Sequence, residues 1–229
     1  MDKGNTRPGT LLRWHVLKRI LRSEVKNNSV ILDLGGYDGF VVYNLKKNIP
    51  NLNVIVVDIN ESGLQVAKER GVNILNASAL ELPITDNRAD VILCLDLIEH
   101  VKEDSKLLKE ITRVLKTGGK IILTTPMQNG ISFPLLNKDK IAMVKEGWGH
   151  IRNGYSLKDL ESLFKDAGLI IDNTSIYFNL FTRLVYCLSF LTQRSLKGKG
   201  MLYRLIIRLE PYIKFGAEEY IIVGKKVRA

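Results

Sequence analysis

The stretch Val30-Ile31-Leu32-Asp33-Leu34-Gly35-Gly36-Tyr37-Asp38-Gly39 decides the fold. An apolar strand runs into a glycine turn. Phe40 to Lys47 then reads as a helix, and a second apolar strand, Asn53 to Val57, ends on Asp58. Strand, glycine turn, helix, strand and acid form one βαβ unit, and in open α/β sheets such a unit binds its ligand beyond the carboxyl ends of its strands.

Upstream, Leu11, Leu12, Trp14, Leu17, Ile20, Leu21 and Val25 recur near helical spacing. Residues 1–28 therefore read as an amphipathic lead-in helix, with Arg13, Lys18, Arg19 and Arg22 largely on its wet side. Downstream, helices are expected over Glu61 to Arg70, Asp104 to Leu115 (closed by Gly118-Gly119) and Ser156 to Ala167. Strands are expected over Val72 to Leu75, from Asp90 through Leu95, over Lys120 to Thr124, from Leu169, and over Glu219 to Val223. Ser156 and Asp159 have the spacing of a capping box. Strands alternating with helices imply a Rossmann-like, doubly wound α/β sheet of seven strands, mostly parallel, with the last strand antiparallel. The unusual part is a helical insertion at about 179–215. Its second helix carries an apolar arc of Met201, Leu202, Leu205, Ile206, Leu209, Tyr212 and Ile213, with Arg204 and Arg208 opposite and a basic hinge at Ser195 to Gly200 before it.

Composition bounds the function. The chain has 229 residues, 25% charged and 45% hydrophobic, as expected of one globular domain of residues 29–229 behind the lead-in helix. Cys94 and Cys187 offer neither a disulfide framework nor a metal-ligand spacing, and no metal is expected. The net charge of +10 sits at the ends: residues 1–28 carry seven Lys/Arg against two acids, residues 180–229 ten against three. Such ends suit an anionic surface, membrane or nucleic acid. Basic residues interrupt Leu11 to Leu21, so no signal peptide is expected, and no run reaches the ~18 apolar residues of a membrane span. A cytoplasmic chain, meeting the inner membrane face at its periphery, is the expectation.

The turn excludes two ligand classes. Tyr37 stands where a dinucleotide fingerprint needs its second glycine, and Gly39-Phe40-Val41 stands where a phosphate-cradling loop needs Gly-Lys-Ser/Thr. Asp33, Asp38 and Asp58 around one crevice repel pyrophosphate and suit a cation carrying a ribose. Asp58 lies 19 residues after Gly39, the spacing at which a strand-end acid accepts from both ribose hydroxyls.

Ile31 to Gly39 resembles the first motif of the class I S-adenosylmethionine-dependent methyltransferases, and Val56-Val57-Asp58 their second. Ala89 to Val101, containing Asp96-Leu97-Ile98-Glu99-His100, resembles their fourth-strand motif, and Arg113 to Gly119 their turn into strand five. The resemblance covers residues 29 to 178. It implies S-adenosyl-L-methionine as cofactor and S-adenosyl-L-homocysteine as product. Gly35, Gly36 and Gly39 would let backbone approach the methionine part. Asp33 would orient the turn and the amino group, Asp58 would hold the ribose, and Ile59 would lie against adenine. Ser78, Ala79 and Leu80 would flank the adenine edge, and Asp96 would lie near the sulfonium. Tyr37 in place of the middle glycine changes the backbone or adds a ring to the pocket wall.

A hydroxyl acceptor needs a base, and the candidates are His100 and His150. Gly149-His150-Ile151-Arg152 with Tyr155-Ser156 resembles the family's small-molecule members, implying a small-molecule, lipid-like or glycan acceptor, met at an anionic membrane surface. RNA or another nucleic acid is the weaker alternative, because the Pro-Pro-aromatic signature of base-amino methylation is absent after strand four. A non-catalytic partner subunit keeping the fold is the other. Oligomeric state is left open.

Overall fold

The structure, a computed structural model, describes residues 8–192 and 201–227. In chain order the elements are α1 (Pro8–Glu24), β1 (Val30–Leu34), α2 (Phe40–Asn48), β2 (Asn53–Asp58), α3 (Glu61–Glu69), β3 (Asn73–Asn76), β4 (Ala89–Leu95), α4 (Asp104–Val114), β5 (Leu115–Pro126), α5 (Lys138–Trp148), α6 (Leu157–Asp166), β6 (Leu169–Tyr177), α7 (Leu180–Thr192), α8 (Met201–Leu209) and β7 (Glu219–Lys226). The sheet order is β3-β2-β1-β4-β5-β7-β6. Strands β1 to β5 pair in parallel, and β7 runs antiparallel to both β5 and β6.

Strands β1 and β4 are buried on both faces, which is why they read as unbroken apolar runs. Successive residues serve opposite faces. Ile31, Leu93 and Ile122 pack with α1, α2, α7 and α8, whereas Leu32, Ile92 and Ile121 pack with α4 and α6. Ser156 caps α6 in a reciprocal capping box with Asp159, as the spacing predicts.

Three expectations change. Gly118-Gly119 does not close α4: the helix ends at Val114, and Leu115 already pairs with Ala89, so the glycines form an irregularity inside β5. Helix α5 lies where the sequence reading names no element; Asn137 caps it by accepting from the Lys140 amide, and left-handed Gly149 ends it. Helix α8 turns a different face inward. Tyr203 and Ile207 are buried, whereas Leu205 is 54% and Tyr212 75% exposed. The cause is polar: the buried carboxylate of Glu210, just past α8, accepts from the Asn179 amide at 2.8 Å and from the Thr182 hydroxyl, and this anchor sets the rotation of the helix. The hinge at Ser195 to Gly200 lies outside the described residues.

Candidate active site

The carboxyl ends of β1, β2 and β4 converge on one crevice. At the end of β1, Asp33 is 2% exposed, and the turn folds directly over it: a Cβ on Gly36 would meet Asp33 Oδ2 at 2.5 Å. Gly35 and Gly39 take positive φ of 68° and 63°. Burial pushes the Asp33 carboxyl up to about 7, Asp38 and Asp58 push the same way, and Arg13 opposes them.

Tyr37 keeps the backbone shape a glycine would have, with φ of 47°. Its ring packs flat over α3, where a Cβ on Gly63 would come within 2.5 Å of it. The Tyr37 amide donates to Asp58 Oδ2 at 2.9 Å and the Asn60 amide to Oδ1 at 2.8 Å, so the Asp58 carboxylate is held in one orientation. The Ala77 amide donates to the Asp58 carbonyl at 3.2 Å, and Ser78 Oγ accepts from the Leu80 amide at 3.2 Å. These bonds set Ser78, Ala79 and Leu80 beside Ile59, which is 75% exposed. Asp38 leaves the acidic bracket: it pairs with Arg70 at 2.8 Å, so two acids rather than three face the crevice.

At the end of β4, Asp96 has φ of 48° and accepts a hydrogen bond from the Thr124 hydroxyl. Its other oxygen pairs with Arg13 at 2.8 Å. This corrects the expectation for α1, since Arg13 reaches into the crevice rather than into solvent. Burial opposes the Arg13 charge, but Asp96, Tyr177, Glu219 and Glu99 around it hold it firmly protonated. Tyr177, Glu219 and Glu99 are buried; the Tyr177 hydroxyl and the Glu219 carboxyl face each other, and among the described residues Glu99 Oε1 has no hydrogen-bond partner. The wall beyond Asp96 is thus a polar patch inside an apolar shell, the usual mark of a site that receives a polar ligand.

His100 closes the short 3-10 turn Ile98–His100. The loop after α5 is stitched onto this turn. The Ile151 and Arg152 amides donate to the Glu99 carbonyl at 3.0 and 3.2 Å, Arg152 donates to the Val101 and Lys102 carbonyls, and the Tyr155 hydroxyl donates to the Ile98 carbonyl. Gly154 lies so close to Met127 that a Cβ would fall 2.1 Å from its carbonyl oxygen. The result is a T-shaped His100–His150 pair with ring centroids 4.7 Å apart, so the two candidate bases share one place. A cleft of about 400 Å³ also opens at the opposite, amino end of β1, β2 and β4, lined by Val30, Asn53 and Lys116. It lies away from the strand ends where ligands bind in this architecture.

Arg13, Glu99, Tyr177 and Glu219 belong to the crevice and are not among the site residues of the sequence reading. Glu99 alone had a signal, standing beside His100 in the fourth-strand motif.

Residues 32–123 match the methyltransferase domain family. An uncharacterized protein of Methanocaldococcus jannaschii is 34% identical over 163 residues, covering 68% of this chain and 61% of that one. A ubiquinone/menaquinone biosynthesis C-methyltransferase of Vibrio parahaemolyticus is 29% identical over 175 residues, 66% of each chain. The chain thus matches about two thirds or less of the length of these two relatives. Among solved structures, a sarcosine dimethylglycine methyltransferase candidate from Galdieria sulphuraria superposes with a TM-score of 0.68 at 19% identity, covering 95% of this chain and 86% of that one. With the sheet order and the crevice, these matches define a Rossmann-like methyltransferase fold. The match over residues 32–123 and the shared fold bear out the resemblance to the class I S-adenosylmethionine-dependent methyltransferases.

The crevice fits that cofactor. The Gly35-Gly36 backbone lies flush on a buried carboxylate, Asp58 is aimed by two amides, and Ile59 offers an uncovered apolar face.

Proposed function

We propose that this chain transfers a methyl group from S-adenosylmethionine to a small-molecule acceptor of lipid-like or glycan type. The observation that carries the reading is the pair Asp33 and Asp58 at adjoining strand ends, one buried beneath the glycine turn and one fixed by two backbone amides. In this reading Asp58 accepts from the ribose hydroxyls, Asp33 from the ammonium, and Ile59 with Ser78, Ala79 and Leu80 borders the adenine. Bound there, the cofactor supplies a methyl on a sulfonium.

The chain's own contribution is then positioning and exclusion of water. Arg13 and Thr124 hold Asp96 in place, and Tyr177 and Glu219, paired with each other, offer polar atoms to an acceptor. His100 and His150 are the groups placed to act on the proton of a hydroxyl acceptor. Support for a lipid-like acceptor comes from the exposed apolar side chains Phe181, Leu205, Leu209, Tyr212 and Phe215 on and after α7 and α8, interspersed with Arg204, Arg208 and Lys214. Such a face suits an anionic membrane surface. The quinone-pathway relative is consistent with it.

Calorimetry tests the core of the reading. S-adenosylmethionine and its demethylated product should both bind, and Asp58→Ala should remove most of that binding. Unchanged affinity in the variant would sink the assignment. A methyl-labelling screen of lipid, glycan and RNA fractions then separates the acceptors, label in RNA alone favouring the nucleic-acid alternative.

A further inference from the structure

We infer that Glu99, His100 and His150 form a binding site for a divalent cation of the zinc class, on the acceptor side of the crevice. One ligand atom from each of the three lies within 4.8 Å of the other two. Bonds of about 2.0–2.1 Å at tetrahedral angles would set such atoms about 3.4 Å apart, so closure asks for a movement of about 1.5 Å, within the reach of side-chain rotation.

Three features separate this cluster from a chance meeting. Glu99 is 0% exposed; the Thr125 hydroxyl occupies its Oε2, and its Oε1 has no partner. A carboxyl oxygen buried and unsatisfied in this way carries a desolvation cost that a cation would remove. Second, His100 Nδ1 lies 3.1 Å from the Gly149 carbonyl. A carbonyl only accepts, so Nδ1 carries the proton and Nε2 keeps a free lone pair, the arrangement by which proteins prepare an imidazole for metal. Third, His150 is delivered by a loop hydrogen-bonded to the backbone carbonyl of Glu99 itself, so all three ligands share one rigid frame.

The donor set selects the ion. Two neutral imidazoles and one carboxylate match zinc, iron(II) or cobalt(II), whereas magnesium and calcium prefer oxygen alone. Three protein ligands leave coordination positions open, as catalytic rather than structural sites do. An acceptor oxygen fits such a position, and a hydroxyl held there is acidified, its proton passing to solvent. The imidazoles then act on the acceptor's proton through the ion instead of as free bases. That role rests on the methyl-transfer reading; the cation site itself does not.

The test uses the full chain, stripped with chelator and titrated with cobalt(II), read by visible absorption, and with zinc, read by equilibrium dialysis. One ion per chain is expected, with affinity falling at least about tenfold in His100→Ala and in His150→Ala. Because replacing Glu99 threatens the fold, X-ray absorption on the wild-type cobalt complex reads the ligand set independently, and two imidazoles with one carboxylate are expected. Absence of saturable binding, binding indifferent to both histidine variants, or a shell without imidazole would each overturn the proposal. S-adenosylmethionine binding is measured on the same samples. Cobalt binding without cofactor binding would overturn the methyl-transfer reading alone, and the reverse would overturn the cation site alone.

Discussion

Binding of S-adenosylmethionine should depend on pH through Asp33. The carboxyl is raised from 3.8 to about 7, a difference of about 3 units, or about 4 kcal/mol against its charged form. The folded chain therefore holds a proton that the unfolded chain has released, and this group makes stability fall as pH rises between about 4 and 7. A cationic ligand at Asp33 reverses the preference, because the carboxylate gains a partner and the proton leaves on binding. Affinity should then drop by up to tenfold for each pH unit below about 7, with up to one proton released per ligand. Calorimetry between pH 5.5 and 7.5, in buffers of different ionisation enthalpy, measures both quantities. The upper limit keeps the ligand's own α-amino group, with its ordinary value of about 7.7–8.0, largely charged. Asp33→Asn should bind weakly with little slope, and at pH 8 it should be more stable than the wild type by up to about 4 kcal/mol. A flat wild-type profile, or the same slope in the variant, would refute the assignment of Asp33 to the ligand's ammonium.

Other outcomes follow from particular contacts. Arg13→Met should destabilise by about 2 kcal/mol at pH 7, because the Asp96 carboxylate loses its cation among groups, Glu99 and Glu219, that burial already pushes above the usual carboxylate range; denaturant melts of the two proteins at pH 7 check it. Ser156→Ala should cost about 1 kcal/mol through loss of the α6 cap while leaving cofactor affinity unchanged. The double variant Leu205→Glu, Leu209→Glu should abolish sedimentation with anionic liposomes, and salt should weaken it in the wild type; retention by the variant would remove the membrane part of the reading.

Where local chemistry dictated structure, the sequence was a sufficient guide. Strands buried on both faces, the Ser156 cap and the Gly35 to Gly39 turn need no distant partner to be recognised, and they carry the sheet and the donor side of the crevice. Arg13 and α8 were misread for the opposite reason. A basic residue on an amphipathic helix normally faces water, and here three acids from distant strands and loops draw it inward. An apolar stripe normally faces the core, and here Glu210, bonded to Asn179 and Thr182 some 30 residues earlier, turns α8 so that much of the stripe is exposed. Helix α5 had local signals in Asn137 and Gly149, but weak periodicity between them. The wall beyond Asp96 was illegible because Arg13, Tyr177 and Glu219 come from segments far apart in the sequence.

The ion pair of Arg13 with Asp96, beside Glu219, also bears on how the chain comes to be finished. During synthesis β1 to β4 and their glycine turn emerge well before β7. Arg13, by contrast, emerges about 200 residues before Glu219, which enters the wall only when β7 inserts between β5 and β6. The strand ends that carry Asp33 and Asp58 thus leave the ribosome long before the wall of Arg13, Asp96 and Glu219 is complete. A chain released before β7 would lack Glu219 and the strand that joins β5 to β6, so the wall around Arg13 is closed by the last element of the sheet to be made.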